Sequence, residues 1–246
     1  MVSVGKMSAA GNLIKALRGD PDERYSLAER SARWLDPEAV LSERARLWLS
    51  DDKFRRAYER FDPKNLRRMD RVFALGQFAR LAVTLQGQTA ECGAYQGASS
   101  YFICRQLLGA DKLHHVFDSF EGLSTPLPSD GEYWHSGDLA SGDEVARRNL
   151  AEFDFVRFHK GWIPERFPEV EGECFCLVHI DVDLYDPTRE SLEFFFPRLV
   201  TGGIIVLDDY GFSTCPGARQ AVDEFFGSKK EPVLELPTGQ GLVFKQ

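Results

Sequence analysis

Two hydrophobic stretches of this sequence end abruptly in carboxylates, and this arrangement constrains the fold more than any other feature. The first stretch, Cys176–Ile180, runs into Asp181, and the second, Ile204–Leu207, runs into Asp208 and Asp209. A short apolar run followed at once by acids is typical of a buried parallel strand that ends at the rim of a sheet. Open α/β sheets bind their ligands just outside those ends, so we expect the three acids to converge.

Three carboxylates at one rim have two interpretations. Oxygen donors of this kind suit Mg²⁺ and similar divalent cations, and neighbouring carboxylates are costly unless a cation compensates them. Acids after strands can also cap a helix or solvate a loop. Because three acids follow two strands, the sequence favours a metal-binding or catalytic role for at least two of them.

Length and charge narrow the class of protein. The 246 residues are enough for one large α/β domain, and the formal net charge of −8 gives no basic surface for nucleic acid. No apolar run approaches the roughly 18 residues of a membrane span, and the N-terminus lacks the pattern of a signal peptide, so we expect no membrane association. The five scattered cysteines lack zinc-site spacing and predict reduced thiols in a cytoplasmic protein.

The chain divides into a helical prefix, residues 1–61, and an α/β domain, residues 62–246. The first 20 residues are weakly patterned and are expected to be mobile. Simple packing is the first interpretation of the prefix, and closure over a substrate or formation of a homo-oligomer is the alternative. Asp-Pro pairs at 36–37 and 62–63 are helix start signals. Helices are predicted over residues 25–34, 37–49 and 63–86.

A glycine-rich turn opens the α/β domain. Residues 89–99 predict a short strand that turns through Gly93 and Gly97 into a helix, where the backbone can approach a negatively charged ligand closely. The spacing differs from the G-x-G-x-x-G of dinucleotide-binding proteins. The next strand, 114–117, ends in Asp118, which is well placed to accept hydrogen bonds from ribose hydroxyls. The sequence therefore predicts a nucleoside-containing cofactor.

Residues 121–143 form a long insertion rich in Gly, Pro and Ser, and such loops are usually functional lids or disordered. Trp134 and His135 favour a lid, because an aromatic and a titratable side chain suit substrate contact, and His135 is a candidate catalytic residue. The rest of the chain alternates strands with helices and ends in a hairpin. Further strands are predicted over 153–159, 232–236 and 241–245, and further helices over 98–108, 143–151, 186–199 and 216–227.

These elements predict a doubly wound, Rossmann-like α/β sheet of about seven strands with helices on both faces. Most strands are expected to be parallel and the last one antiparallel. The helical prefix is expected to flank the sheet.

Several motifs, in this order along the chain, resemble the macrocin O-methyltransferase family. They are Glu91–Ser99, Phe117–Leu123, His179–Thr188, Gly202–Gly211 and Pro216–Phe225. The resemblance covers about residues 60–246. It implies a class I methyltransferase fold, S-adenosylmethionine as cofactor and a divalent metal such as Mg²⁺. Members of the family methylate sugar hydroxyls of macrolides, aminocoumarins and related glycosides.

The resemblance also implies roles for individual residues. Asp181, Asp208 and Asp209 match the metal ligands, and Asp181 is in addition a candidate base close to the substrate hydroxyl. The implied cofactor-binding residues are Glu91, Gly93, Gly97, Ser99, Asp118, Ser119 and Trp162.

The expected function is S-adenosylmethionine-dependent and divalent-metal-dependent O-methylation of a hydroxyl with a vicinal oxygen, on a sugar of a glycosylated natural product or glycan. A cation bound by two adjacent substrate oxygens lowers the pKa of a hydroxyl, which makes it a better nucleophile. A catechol would satisfy the same requirement. Two different functions stay open: an NAD-dependent oxidoreductase, which the glycine spacing disfavours, and a non-catalytic interaction module that keeps the fold.

Overall fold

The computed structural model describes residues 9–37, 47–61 and 68–246 of the chain. Two compact units are present, Met1–Ser50 and Asp51–Gln246. Within the described parts of the chain, no helix combines the length and the apolar character needed to cross a bilayer. All five cysteines lie among the described residues and are free thiols, as predicted.

The smaller unit contains helices α1 (Ala9–Leu17), α2 (Pro21–Leu35) and α3 (Leu47–Ser50). α1 is a helix within the first 20 residues, where the sequence analysis predicted no element, and residues 1–8 lie outside the described part. The guanidinium Nε of Arg24 donates to the carbonyl oxygen of Ala16 at 2.8 Å, and this bond holds α1 and α2 together. α2 confirms the helix predicted over 25–34. Most of the helix predicted over 37–49 falls outside the described residues.

The larger unit is built on one seven-stranded sheet with the order β3-β2-β1-β4-β5-β7-β6. The first five strands in this order are parallel, and β7 pairs antiparallel with both β5 and β6. This sheet confirms the predicted fold class and the terminal hairpin. The strands are β1 (Gln88–Cys92), β2 (His114–Asp118), β3 (Val156–Lys160), β4 (Phe175–Ile180), β5 (Leu199–Leu207), β6 (Leu234–Glu235) and β7 (Gly241–Phe244).

Helices cover both faces of the sheet and two short 3₁₀ helices, Pro128–Asp130 and Phe167–Val170, lie in its loops. The helix predicted over 63–86 ends earlier than expected, at Ala82, and residues 83–87 form the turn into β1, with Gly87 at φ +96°. The α-helices of the larger unit are α4 (Asp52–Tyr58), α5 (Met69–Ala82), α6 (Ala98–Leu107), α7 (Asp143–Asn149), α8 (Tyr185–Arg198) and α9 (Pro216–Phe226).

Strand side chains alternate between two hydrophobic clusters. Leu177 and Val206 pack with α5 and α6 on one face, whereas Val178 and Ile180 pack with α8 and α9 on the other. Both faces of the sheet are apolar, which explains why the sequences of these strands are continuous hydrophobic runs. The alternation decides which acid at the strand ends faces which helix pair.

The boundary between the units lies before α4, whereas the sequence analysis divided the chain after residue 61. The ring of Phe54 in α4 lies 4.8 Å from the ring of Phe102 in α6, measured between centroids. Phe54, Ala57 and Tyr58 are buried. α4 therefore belongs to the hydrophobic core of the larger unit.

Gly93 and Gly109 provide a matched test of close backbone approach, since both adopt φ +82°. A Cβ at Gly93 would lie 1.8 Å from the carbonyl oxygen of Asp181, whereas a Cβ at Gly109 would meet nothing within 4 Å. We expect Gly109→Ala to lower the free energy of unfolding by about 1–2 kcal/mol, from backbone strain alone. Gly93→Ala should lower it by at least about 3 kcal/mol. Urea unfolding followed by circular dichroism measures both, and equal losses would contradict the close approach.

Candidate active site

A cavity of about 340 Å³ lies beside the carboxyl ends of β1, β2 and β4. Four of the residues predicted to bind cofactor line it, namely Gly93, Asp118, Ser119 and Trp162. The acids Asp181 and Asp183 also line this cavity. The rim of the sheet therefore brings part of the predicted cofactor site next to part of the predicted acid cluster.

Asp118 fixes the glycine turn to the end of β2. Its Oδ2 accepts the backbone N–H groups of Ala94 and Tyr95 at 2.7 and 2.8 Å, and its Oδ1 accepts that of Phe120 at 2.7 Å. Burial raises the pKa of Asp118, and these three hydrogen bonds offset only part of that shift. Each carboxylate oxygen can accept more than one hydrogen bond, so Asp118 can hold the turn and a ribose together.

The remaining predicted cofactor residues lie elsewhere. Gly97 begins α6 in the left-handed conformation at φ +84°. Ser99 lines a second cavity, of about 60 Å³, which Asp181 also borders. Glu91 lines neither cavity, because it is fully buried and its carboxylate accepts a hydrogen bond from Ser100 and contacts His179. The position of Glu91 does not fit a cofactor ligand.

One group of potential metal ligands lies on the α5 side of the sheet. Single ligand atoms of His179, Asp181 and Asp208 lie within 4.8 Å of one another. Asp208 receives hydrogen bonds at both oxygens, since Gln240 Nε2 donates to Oδ1 at 2.8 Å and Arg71 Nη1 donates to Oδ2. The sequence did not identify Arg71 or Gln240, because neither belongs to a run that marks a strand end.

A second group consists of Asp183, Asp209 and Cys215, whose ligand atoms also lie within 4.8 Å of one another. The carboxylate of Asp209 accepts the backbone N–H of Asp183 at 2.9 Å. Successive side chains at a strand end point to opposite faces, which explains why Asp209 is separated from Asp208. Asp183 was not predicted from the sequence, although its spacing two residues after another acid was a usable signal.

Crowding and burial raise the pKa of three of these four carboxyl groups. Burial and then the charge of Asp208 raise the pKa of Asp181 to about 7. Burial raises the pKa of Asp183 to about 6. Burial and the charge of Asp183 raise the pKa of Asp209 well above its ordinary value. A set of oxygen donors with unfavourable mutual repulsion fits a divalent cation, which would favour the charged form of each.

Asp208 behaves differently from its neighbours. Burial disfavours its charged form, but the hydrogen bond with His179 and the charge of Arg71 outweigh burial and lower the pKa of this carboxyl. Burial also opposes the charge on His179, yet Asp208 and Glu91 together raise the pKa of that imidazole to about 10. The side chains of Arg71 and His179 therefore supply positive charge to the site on the α5 side.

The insertion is docked on the rest of the site. Asp130 is buried, and its carboxylate accepts the backbone N–H groups of Leu127 and Tyr185, both at 2.7 Å. Trp134 Nε1 donates to Cys215 Sγ at 3.4 Å, and Cys215 Sγ lies 3.5 Å from Asp183 Oδ1. The insertion thus reaches the second acid group through a thiol.

His135 does not reach the acids. Its side chain is 78% exposed, and its ring Nδ1 lies 3.6 Å from the carboxylate of Asp138 within the insertion. It lines neither cavity. The catalytic role predicted for His135 does not match this position. The side chain of His135 points outward from an exposed loop, whereas that of the neighbouring Trp134 points inward.

Solved structures with the same fold identify the class of protein. The structure is similar to CalS11, a calicheamicin methyltransferase, with a TM-score of 0.63 and 18% sequence identity over 84% of this chain and 94% of that chain. It is also similar to the O-methyltransferase NovP, with a TM-score of 0.59 and 25% identity over 72% of this chain and 80% of that chain. The fold is that of a class I O-methyltransferase.

The sequence defines the family within this class. The family Macrocin-O-methyltransferase (TylF) matches residues 36–236, and the chain belongs to this enzyme family. A relative from Streptomyces olivaceus, 8-demethyl-8-(2,3-dimethoxy-alpha-L-rhamnosyl)-tetracenomycin-C 4'-O-methyltransferase, is 32% identical over 182 residues, which is 67% of this chain and 68% of the relative. Family membership confirms the resemblance and decides against an oxidoreductase.

The raised pKa of Asp181 predicts a specific pH dependence in metal-free protein. The folded pKa of about 7 lies above the ordinary value of 3.8, so the stability that this carboxyl contributes is complete below that ordinary value and is lost as the pH rises through 7. Asn does not titrate. The free energy of unfolding of Asp181→Asn, relative to the wild type, should therefore increase by about 2–4 kcal/mol between about pH 4 and pH 8.

Urea unfolding in EDTA across this pH range measures the difference. Asp111→Asn, at an exposed position outside the acid cluster, is the matched control. A difference between Asp181→Asn and the wild type that stays constant with pH would contradict the expected titration.

Proposed function

We propose that this chain transfers a methyl group from S-adenosylmethionine to a sugar hydroxyl with a vicinal oxygen, and that a divalent cation such as Mg²⁺ assists the reaction. One observation carries the proposal: Asp181 and Asp183, at the end of β4, line the same cavity as Gly93 and Asp118, and each belongs to a group of potential metal ligands that also contains an acid from the end of β5. A cofactor and an acid cluster at one rim are what a metal-assisted methyl transfer requires.

The cofactor is expected along the ends of β1 and β2. Gly93 lines the cavity, and Asp118 offers acceptors for the ribose hydroxyls. Ser119 and Trp162 extend the same wall. S-adenosylmethionine would supply the methyl group as a sulfonium, and the chain's task is to align a substrate oxygen behind it.

The carboxylates would hold the cation. Asp181 and Asp208 offer oxygen donors in the first ligand group, and Asp209, in the second group, has a raised pKa that a cation would lower. Bound there, a divalent cation would lower the pKa of a substrate hydroxyl. Asp209 would be the third ligand of the cation, as the family resemblance implies.

Asp183 is our candidate for the proton acceptor, in addition to Asp181. It lines the cavity, and its pKa of about 6 is high enough for useful basicity while leaving the carboxylate largely charged at neutral pH. The proton of the attacking hydroxyl would pass to this carboxylate as the new C–O bond forms and the bond between the methyl carbon and the sulfonium sulfur breaks, with S-adenosylhomocysteine as the leaving group. Because Asp183 is not in the first ligand group, a base and a ligand can be separate residues.

The substrate class follows from the relatives. The Streptomyces olivaceus relative is named for methylation of a rhamnosyl group on tetracenomycin C. Demethyldecarbamoylnovobiocin O-methyltransferase from Streptomyces niveus is 31% identical over 158 residues, 56% of this chain and 58% of the relative. We infer a sugar of a glycosylated natural product as the substrate, and the free thiols support a cytoplasmic location.

The cofactor assignment predicts that Asp118→Ala weakens S-adenosylmethionine binding at least about tenfold. Removal of a charged acceptor leaves the ribose hydroxyls unmatched, at a cost of about 1.5–3 kcal/mol. Isothermal titration calorimetry measures the affinity, with the exposed Asp111→Ala as control. Wild-type affinity in Asp118→Ala would remove this residue from the cofactor site.

The metal assignment predicts loss of methyl transfer in EDTA and recovery with Mg²⁺. Asp208→Asn should lower kcat far more than it lowers S-adenosylmethionine affinity, because a cation acts on the substrate oxygen in the transition state. Mass spectrometry of glycosides with adjacent hydroxyls, compared with deoxy analogues that lack the neighbour, measures the transfer. Full activity after dialysis against EDTA would defeat the metal requirement, and equal methylation of the deoxy analogues would defeat the vicinal requirement.

The roles of the two candidate bases can be distinguished by measuring both kcat and Mn²⁺ affinity in their Asn variants. Asp183→Asn should lower kcat by about 100-fold or more while keeping the affinity for Mn²⁺, since general base catalysis contributes on that scale. Asp181→Asn should lower both kcat and Mn²⁺ affinity. Intact turnover in Asp183→Asn would return the role of base to Asp181.

A further inference from the structure

The geometry points to Glu91 as a positioning residue that acts through His179 on Asp208, rather than as a ligand of the cofactor. Glu91 is completely buried and lines neither cavity. This inference rests on the proposed function, because it concerns how a cation ligand is held in place.

Strand register places the participating side chains on one face. Glu91 of β1 is paired with His179 of β4, and Thr89 is paired both with Leu177 of β4 and with His114 of β2. Residues two apart on a strand share a face, so these polar side chains lie with Leu177 on the side that α5 and α6 cover. Burial beneath two helices shields them from solvent.

A continuous hydrogen-bond chain crosses this face. Thr89 Oγ1 lies 2.9 Å from His114 Nδ1, and His114 Nε2 lies 3.0 Å from Ser100 Oγ. The hydroxyl of Ser100 donates to Glu91 Oε2. Glu91 Oε1 lies 2.7 Å from Nδ1 of His179. All of these side chains are buried, so each polar atom depends on its partner within the chain.

The chain ends on a candidate cation ligand. His179 Nε2 lies 3.4 Å from Asp208 Oδ1, at the long end of a hydrogen bond. Because both ring nitrogens of His179 face carboxylates, Glu91 fixes the plane of the imidazole and thereby the direction of its contact with Asp208. Partners of this kind behind a metal ligand commonly change metal affinity about 10- to 100-fold when they are removed.

A cofactor-binding role for Glu91 would require different surroundings for its carboxylate. A cofactor ligand must reach the cavity, as Asp118 does, whereas the carboxylate of Glu91 is completely buried, lines neither cavity and contacts Ser100 and His179 within the protein. A substitution at Ser100 would disturb the positioning chain without touching the predicted cofactor contacts. Ser100 therefore separates the two roles.

The experiment compares Glu91→Gln, Ser100→Ala and the control Ser191→Ala. Gln keeps the size and one acceptor of Glu91 but not its charge. Ser191 matches Ser100, because it is also completely buried in a helix, where its Oγ donates to the carbonyl oxygen of Pro187 at 2.6 Å. Isothermal titration of the purified full chain with S-adenosylmethionine, and separately with Mn²⁺ alone, gives two affinities for each variant.

We expect S-adenosylmethionine affinity to stay within about threefold of wild type in all three variants. Mn²⁺ affinity should fall at least about tenfold in Glu91→Gln and about threefold in Ser100→Ala, and it should not change in Ser191→Ala. A tenfold loss of S-adenosylmethionine affinity in Glu91→Gln with unchanged Mn²⁺ affinity would overturn the inference and make Glu91 a cofactor ligand.

Failure of the proposed function is distinguishable from failure of this inference. If the wild type binds no Mn²⁺ in the titration, the cation part of the proposed function fails, and urea unfolding of Glu91→Gln, Asp208→Asn and the double variant decides the positioning role. If Glu91 and Asp208 are coupled through His179, the change in the unfolding equilibrium constant of the double variant should differ at least about threefold from the product of the changes in the two single variants. Additive effects would overturn the inference.

Discussion

The crowding of four carboxylates at the ends of two buried parallel strands is the constraint on which the rest of the site depends. Asp181, Asp183, Asp208 and Asp209 lie where burial removes water and each charge raises the cost of the next. Such an arrangement persists only when other groups compensate it. Arg71 and the buried His179 supply part of the compensation from the protein itself.

Strand alternation then determines how the compensation is distributed. Asp208 faces α5 and receives Arg71 and Gln240, whereas Asp209 faces the opposite side and accepts the N–H of Asp183. The fixed protein cations therefore lower the pKa of Asp208, while that of Asp209 is raised. The cluster is electrostatically uneven, and its uncompensated half is the half that an added cation would stabilise most.

The sequence was sufficient for the architecture because each strand is an apolar run with clear limits. The parallel strands, the terminal antiparallel hairpin and the ends of the acid-bearing strands β4 and β5 were predictable from period and punctuation. The packing of α4 was not, since Phe54 contacts Phe102 across a long sequence separation that no local pattern records. The early helix α1 was missed because it is short and follows weakly patterned residues.

The site was predictable where a strand end fixes a residue and unpredictable where a loop or a helix supplies it. Asp118 and Asp181 lie at strand ends and border the cavity. His135 and Trp134 are neighbours on the insertion, and only tertiary contacts decide which of them turns inward. Arg71 reaches Asp208 from α5, a contact between residues 71 and 208 that periodicity cannot indicate.

Cys215 shows how the insertion can influence chemistry without contributing a ligand. Burial and the charge of Asp209 raise the pKa of this thiol, so it keeps its proton beside the acids. A protonated thiol can donate to Asp183 Oδ1 while its sulfur accepts the indole N–H of Trp134. Docking of the insertion through Asp130 therefore also orders a donor at Asp183, and sequence variation in the insertion can affect the acid cluster as well as the cavity wall.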